Sequence, residues 1–412
     1  MPSQNEARQN LLTIYQSALQ AVAGAARVRD YLLENKITGP CYVIAIGKAA
    51  CAMTSGAREV LDQQIVDALI ISKPGYIQEL PWPVLEAGHP VPDEKSLFAG
   101  KQLLAFIADI PESAAVLFLL SGGASALVEV LAPGLTLQDL QTVNSWLLGS
   151  GLDIKACNTV RKNMSQIKQG RLAKLLAPRR VTNLVISDVA DDDLSVIGSG
   201  LLIAENENAD LQQSILSSLP VEISNKLKTN VSAPGAGDVC FCNVDTKVIA
   251  NNGLALRAAS ACAEKLGYRV KLSDQYLENE SHETGRKLAR KVINAKNNEL
   301  FIWGGETYVK LPGKTGRGGR CQAMALSAAR ELTGHDNILL LCAATDGSDG
   351  PGTDAGALVD GGTLTRGHET GLDENKYLER ADAGSFLEVC GDLISTGATG
   401  TNVADIVLGL KL

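Results

Sequence analysis

The feature that most constrains this chain is a repeated unit: a short, continuously apolar run that stops at glycine, serine or aspartate and gives way to helix-like sequence. Cys41-Tyr-Val-Ile-Ala-Ile46 ends in Gly47-Lys48, and Asp67-Ala-Leu-Ile-Ile71 runs into Lys73-Pro74-Gly75. Ala115 to Leu120 opens into Ser121-Gly-Gly-Ala-Ser125, and Val181 to Ile186 opens into Ser187-Asp188. Runs this short and this uniformly apolar suit strands buried on both faces, and their alternation with helices predicts a doubly wound, Rossmann-like parallel sheet. Ligands of such sheets lie at the carboxyl ends of the strands, where all the polar punctuation falls.

Periodicity weakens from about residue 205 to 237, and Ser232-Ala-Pro-Gly-Ala-Gly237 reads as a linker. A second α/β set follows, with strands at Val244–Ala250, Tyr268–Leu272, Leu300–Trp303 and Ile338–Ala343, and helices at Gly253–Leu266, Ser281–Asn294 and Gln322–Leu332. The expected organisation is therefore an N-terminal α/β domain over 1–235 and a second α/β domain over 236–412. Before the first strand, apolar residues at helical spacing from Asn5 to Asn35 predict one long helix or two short ones.

A net charge of −8 and 4% aromatic residues argue against nucleic-acid binding, so an anionic ligand must be met by local cations. No apolar run approaches the roughly 18 residues of a membrane helix. The first residues carry no basic segment leading to an apolar core, so a secretory signal is not expected and a cytoplasmic location is. Nine cysteines without a CxxC pair fit reduced, structural thiols, with Cys240 and Cys242 expected to share one face of a strand and fill a core. The four histidines are too dispersed for a zinc centre.

Several strand ends carry candidate chemistry. Lys48 opens a helix, where an anion is also favoured. Ser121, Gly122, Gly123 and Ser125 offer hydroxyls and N–H groups that could line a phosphate, although taken alone a tight turn needing glycine explains them better. Asp188, Asp191, Asp192 and Asp193 follow a buried strand; such a cluster repels itself unless cations or magnesium neutralise it, and Asp188 at the strand end is the first choice. Asp346 and Asp349 lie in a loop at another strand end. The segment from Gly304 to Arg320 has glycine pairs at both ends, Glu306 and four cations, and reads as either a phosphate cradle or a solvated hairpin. Gly313-Lys314-Thr315 imitates the tail of a Walker A loop, but Tyr308 stands where the first glycine belongs, so Lys314 reads as a solvated loop residue. A dinucleotide GxGxxG fingerprint after a strand is also missing.

Taken together, nine blocks across nearly the whole chain resemble the class II glycerate kinases, the glycerate 2-kinases with a C-terminal MOFRL domain. They are Ala45–Ala49, Ala87–Asp93, Leu120–Leu127, Arg161–Ala173, Ile186–Val189, Gly304–Thr307, Gly316–Arg320, Thr345–Gly350 and Thr396–Asn402. The resemblance implies ATP- and magnesium-dependent phosphorylation of D-glycerate at its 2-hydroxyl, in a cleft between two α/β domains of a monomer or homodimer. It implies Lys48 and Arg320 as active-site cations, with Asp188 as a further catalytic or metal-binding group. Ser121, Gly122, Gly123, Ser125, Gly304, Gly305 and Glu306 fall to nucleotide phosphates, and Asp192, Asp346, Asp349 and Asn402 to substrate or metal.

Departures from the family pattern at Leu201-Leu202, Cys321 and Ala381–Phe386 are expected in ligand-facing loops. They raise three alternatives: a kinase for a related sugar acid, an NAD(P)H-dependent hydroxypyruvate reductase, and a noncatalytic sugar-acid sensor. The missing dinucleotide fingerprint argues against the second.

Overall fold

The first apolar runs form β1 (Cys41–Ile46), β2 (Ile65–Ser72), β3 (Val84–Glu86), β4 (Ala115–Leu120) and β5 (Arg180–Ile186), and β6 (Val244–Ala250) completes a six-stranded sheet in the order β3-β2-β1-β4-β5-β6. The pairings from β3 through β5 are all parallel. The computed structural model describes residues 2–149, 154–205, 219, 221–227, 232–313 and 315–412. β1 and β4 at the sheet centre are almost wholly buried, which is why they read as unbroken apolar runs. Each such Val, Leu or Ile contributes about 1.5–3 kcal/mol by leaving water.

A second sheet contains β7 (Arg269–Leu272), β8 (Glu299–Gly305), β9 (Ile338–Ala344), β10 (Gly356–Asp360), β11 (Leu393–Ile394) and β12 (Asp405–Lys411), in the order β11-β10-β9-β12-β8-β7. It is mixed. β7 and β8 are parallel, whereas β8, β12, β9, β10 and β11 pair antiparallel in turn. Helices Ser281–Ile293 and Arg320–Leu332 share a core with alternate residues of β8 and β9, among them Phe301, Trp303, Leu340 and Cys342. Helices Gln4–Ala21 and Asn252–Lys265 pack together and cover the opposite face. Coverage of both faces explains why β9 is buried at every position although its neighbours are antiparallel.

The chain divides into two compact units that do not break at residue 235: one comprises 24–187 and 191–249, the other 1–23, 188–190 and 250–412. Two features account for the difference. β6, beyond the expected linker, returns to the first sheet, with Asn183 Nδ2 donating to Thr246 Oγ1. The expected N-terminal helical stretch is two helices, and the first belongs with the second unit: Tyr15 donates to the Ala344 carbonyl at 2.6 Å, and Arg8 pairs with Asp360 and Asp392 at 2.6 and 2.8 Å. The exposed face of a six-stranded sheet needs a covering layer, and this helix supplies part of it.

Cys240 and Cys242 also depart from expectation. Cys240 lies within a short 3₁₀ turn and Cys242 ends it, rather than both occupying a strand, and of the two only Cys240 is buried. Lys314 and most of the weakly periodic stretch after residue 205 lie outside the described residues.

Candidate active site

In the first unit, Lys48 stands immediately past β1. Gly47 before it has φ +132°, and a Cβ there would lie 2.2 Å from Ser121 Oγ, so only glycine fits this close approach of the β1 and β4 ends. Two bonds then fix the turn: Lys48 N–H donates to the Gly122 carbonyl at 3.0 Å, and Ala49 N–H donates to Ser121 Oγ at 3.0 Å. Helix Ala50–Leu61 begins here with alanine at its cap and no side-chain capping bond. An uncapped helix N-terminus beside a lysine combines dipole, N–H donors and fixed charge, the usual elements of an anion site.

Ser121 is fully buried, and its hydroxyl holds this turn together instead of facing a ligand. Ser121→Ala should cost about 1–3 kcal/mol of stability, the penalty of orphaning a buried donor, with activity per folded molecule changing less than in a Lys48 variant; denaturant melts and a kinase assay check this. Gly122 supplies the carbonyl already described. Gly123, at φ +89°, admits two side chains to its vicinity: a Cβ there would lie 3.2 Å from His89 Nε2 and 3.4 Å from Lys48 Cγ. His89 is thus a neighbour of Lys48 that the candidate residues omitted, although it lies within one of the nine blocks.

Ser125 shares a 2.7 Å hydroxyl–hydroxyl bond with Ser199, and its carbonyl accepts from Lys168 Nζ at 2.9 Å. Lys168 and Glu129 form a buried 2.7 Å ion pair beneath it, and Lys162 pairs with Glu205. The basic block Arg161–Ala173 therefore buttresses the turn from inside. Past β5, Ser187 buries its hydroxyl without a hydrogen-bond partner. Asp192 occupies the following loop, partly buried and at φ +53°.

In the second unit, Asp188 accepts from Asn402 Nδ2 at 2.7 Å, which joins two residues 214 positions apart. Tyr276 donates to the Asp188 carbonyl at 3.4 Å. Burial first, then Glu306, Asp405 and Asp188, push the Tyr276 phenol well above its ordinary range, so it stays protonated. Asp346 is buried after β9, where Oδ1 accepts from Ser348 N–H. Thr345 ties this loop to the approach to β12, accepting from Val403 N–H and donating to the Ala404 carbonyl.

Arg320 heads helix Arg320–Leu332 and is held by two carboxylates. Nε and Nη2 reach the two oxygens of Asp405 at 2.6 and 2.9 Å, and Nη1 reaches Glu306 at 2.7 Å. Burial opposes the guanidinium charge, but Asp405 and Glu306 outweigh it and hold the proton more tightly than usual. Asp405 was missed by the sequence reading, although the apolar run Ile406-Val-Leu-Gly-Leu410 after it could have announced a strand.

Three expectations change. Asp349 is not an open loop carboxylate: it is buried, and its two oxygens cap helix Arg320–Leu332 by accepting from Cys321 and Gln322 N–H at 3.1 and 2.7 Å. Burial, then the charge of Asp405, push its pKa up to about 7. Gly304 and Gly305 are not a free backbone cradle. They end β8 opposite Ile406 and Asp405 of β12, and a Cβ would lie 1.8 Å from Asn252 Oδ1 at Gly304 and 2.2 Å from the Leu277 carbonyl at Gly305. Finally, Leu201, Leu202, Cys321 and Ala383 are buried, so these departures from the family pattern change interior packing.

Among the described residues, no group of three or more His, Cys, Asp and Glu is placed to hold a metal ion, and no helix is long and apolar enough to cross a membrane.

Fold and side chains define an α/β protein of two six-stranded sheets with charged groups gathered where strands end. Residues 10–233 match a family described as a domain of unknown function, DUF4147, and residues 299–405 match the MOFRL family. The chain is 37% identical to a D-glycerate 2-kinase of Thermotoga maritima over 97% of both chains, and 35% identical to a glycerate 2-kinase of Pyrococcus horikoshii over 95% of this chain and 93% of that one. A crystal structure of the glycerate kinase from Thermotoga maritima superposes with a TM-score of 0.85 at 33% identity, covering 99% of this chain and 100% of that one. The chain belongs to the glycerate 2-kinase family that joins a DUF4147 domain to a MOFRL domain.

Proposed function

We propose that this protein is an ATP-dependent kinase that phosphorylates D-glycerate at its 2-hydroxyl, giving 2-phosphoglycerate and ADP. The observation that carries this reading is Lys48 at the uncapped start of helix Ala50–Leu61. Phosphoryl transfer demands positioning and charge neutralisation more than covalent chemistry, and a lysine at the positive end of a helix offers both to phosphate oxygens. The partnerless hydroxyl of Ser187 at the end of β5 is a further polar group of the kind a phosphate-bearing ligand satisfies.

In the second unit, Arg320 is anchored through Asp405, whose side chain is only 3% exposed, while its other partner Glu306 is 43% exposed. Glu306 is the partner that a substrate carboxylate can replace on Nη1, leaving the Asp405 fork intact. Asp188, oriented by Asn402, is a hard oxygen donor, and magnesium commonly takes one or two carboxylates together with water and phosphate oxygens, so this site fits that ion. Magnesium, when bound, would neutralise charge on the phosphates.

With ATP, magnesium and a panel of three- and four-carbon hydroxy acids, ADP should form fastest with D-glycerate and only at background when either the acid or the metal is omitted. Hydroxypyruvate with NADH or NADPH should leave the cofactor unoxidised. Strong cofactor oxidation without ADP formation would overturn the kinase reading, and preference for a four-carbon acid would move the substrate.

A further inference from the structure

Away from Lys48 and Arg320, the second unit contains a cavity of about 210 Å³ lined by His282, Arg286, Ser327, Arg330, Asn375, Leu378 and Glu379. His282 and Arg286 are one turn apart on helix Ser281–Ile293, and Ser327 and Arg330 are one turn apart on helix Arg320–Leu332, so each helix presents a hydrogen-bonding side chain and a guanidinium to the same space. Among the described residues, no carboxylate lies within ion-pair distance of Arg286 or Arg330, whereas Arg290 nearby is matched bidentately by Glu331 at 2.8 and 2.9 Å.

A second observation is independent of charge. His282 Nε2 and Ser327 Oγ are both buried without a hydrogen-bond partner, and Ser327 is 1% exposed. A buried polar atom left unpaired costs about 1–3 kcal/mol, and the two residues that carry these atoms line one cavity together with two arginines that have no ion-pair partner among the described residues.

We propose that this cavity is a binding site for a small phosphate-type oxyanion, either inorganic phosphate or the phosphate of a small monoester. Arg286 and Arg330 supply the charge, and Ser327 Oγ and His282 Nε2 supply the remaining hydrogen bonds. Glu379 offsets part of that charge, but two guanidiniums against one carboxylate leave the lining net positive. Glu280 faces His282 Nδ1 at 3.7 Å and caps its own helix through Glu283 N–H, Glu331 is taken by Arg290, and Glu379 is the carboxylate lining the cavity. Burial, then Arg286 and Arg330 acting against Glu280, hold the His282 imidazole below its usual range, the field an anion would reverse. Ser327 lies seven residues beyond Arg320 on one helix, about 10 Å along its axis, so the site is separate from the pairing of Arg320 with Asp405.

The test uses the full-length protein and the His282 ring as reporter. The chain has four histidines, so loss of one signal in H282Q assigns the resonance. Titration with inorganic phosphate, and separately with glycerol 2-phosphate, should shift the His282 signal saturably and raise its pKa; sodium chloride at equal ionic strength should not. R286Q/R330Q should weaken the response about tenfold or more, and S327A should weaken it less, while both keep wild-type kinase activity because neither touches Lys48, Asp188 or Arg320. Saturation by phosphate alone identifies the free ion as the ligand, and tighter saturation by the ester identifies a monoester. An unmoved His282 signal, an equal response to chloride, or an undiminished response in folded R286Q/R330Q would each overturn the site.

Discussion

Lys48→Ala is expected to lower turnover with D-glycerate and ATP by about 10²–10³-fold, the usual cost of removing one preorganised charge from a developing anion. The variant should still fold. The turn is set by backbone and by its neighbours: Gly47 packs on Ser121, Lys48 N–H bonds the Gly122 carbonyl, and Ala49 N–H bonds Ser121 Oγ. These backbone contacts do not involve the lysine side chain, so the turn should keep its shape when that side chain is truncated, which circular dichroism checks. Steady-state kinetics should show the loss in kcat as well as kcat/KM, the signature of an interaction strongest in the transition state. A folded K48A enzyme with full turnover would remove Lys48 from the chemistry.

Arg320→Ala should behave differently, losing both activity and stability. Alanine leaves Asp405 buried in the second sheet without its two hydrogen bonds, and breaking one side of a buried ion pair costs about 3–5 kcal/mol. For a unit of this size that corresponds to a fall in Tm of roughly 6–20 °C. R320A/D405N should recover most of the stability, because a neutral amide no longer demands the guanidinium, yet should remain inactive. Calorimetry beside the ADP assay separates the two effects. Recovery of activity in the double variant would show that Arg320 serves only to hold Asp405.

This contrast between two cations was not legible in the sequence. Lys48 and Arg320 both stand at helix starts after glycine, and sequence treats them alike. The carboxylate that anchors Arg320 comes from a distant position, Asp405 lying 85 residues beyond it, just as Asn402, which orients Asp188, lies 214 residues beyond that aspartate. The same limit affected the glycines of the Gly304 to Arg320 segment. Glycine meets several needs with one letter, and here Gly304 and Gly305 leave room for Asn252 and Leu277. Of that segment's cations, Arg317 is matched by Asp354 and Glu388 and Arg320 by Asp405 and Glu306, so the apparent excess of positive charge was an effect of reading one strand of contacts.

The local pattern by itself determined the parallel strands β1, β2, β4 and β5, their strand-end chemistry and the position of Lys48, because buried strands, glycine turns and helix starts are written in contiguous residues. Family resemblance in the sequence determined the kinase class. Only the tertiary structure decided that helix Gln4–Ala21 belongs with the second unit, that β6 returns to the first sheet, and that Asp349 caps a helix. Those outcomes depend on which distant surface needs covering and which distant charge needs a partner, and neither demand leaves a periodic mark in the chain.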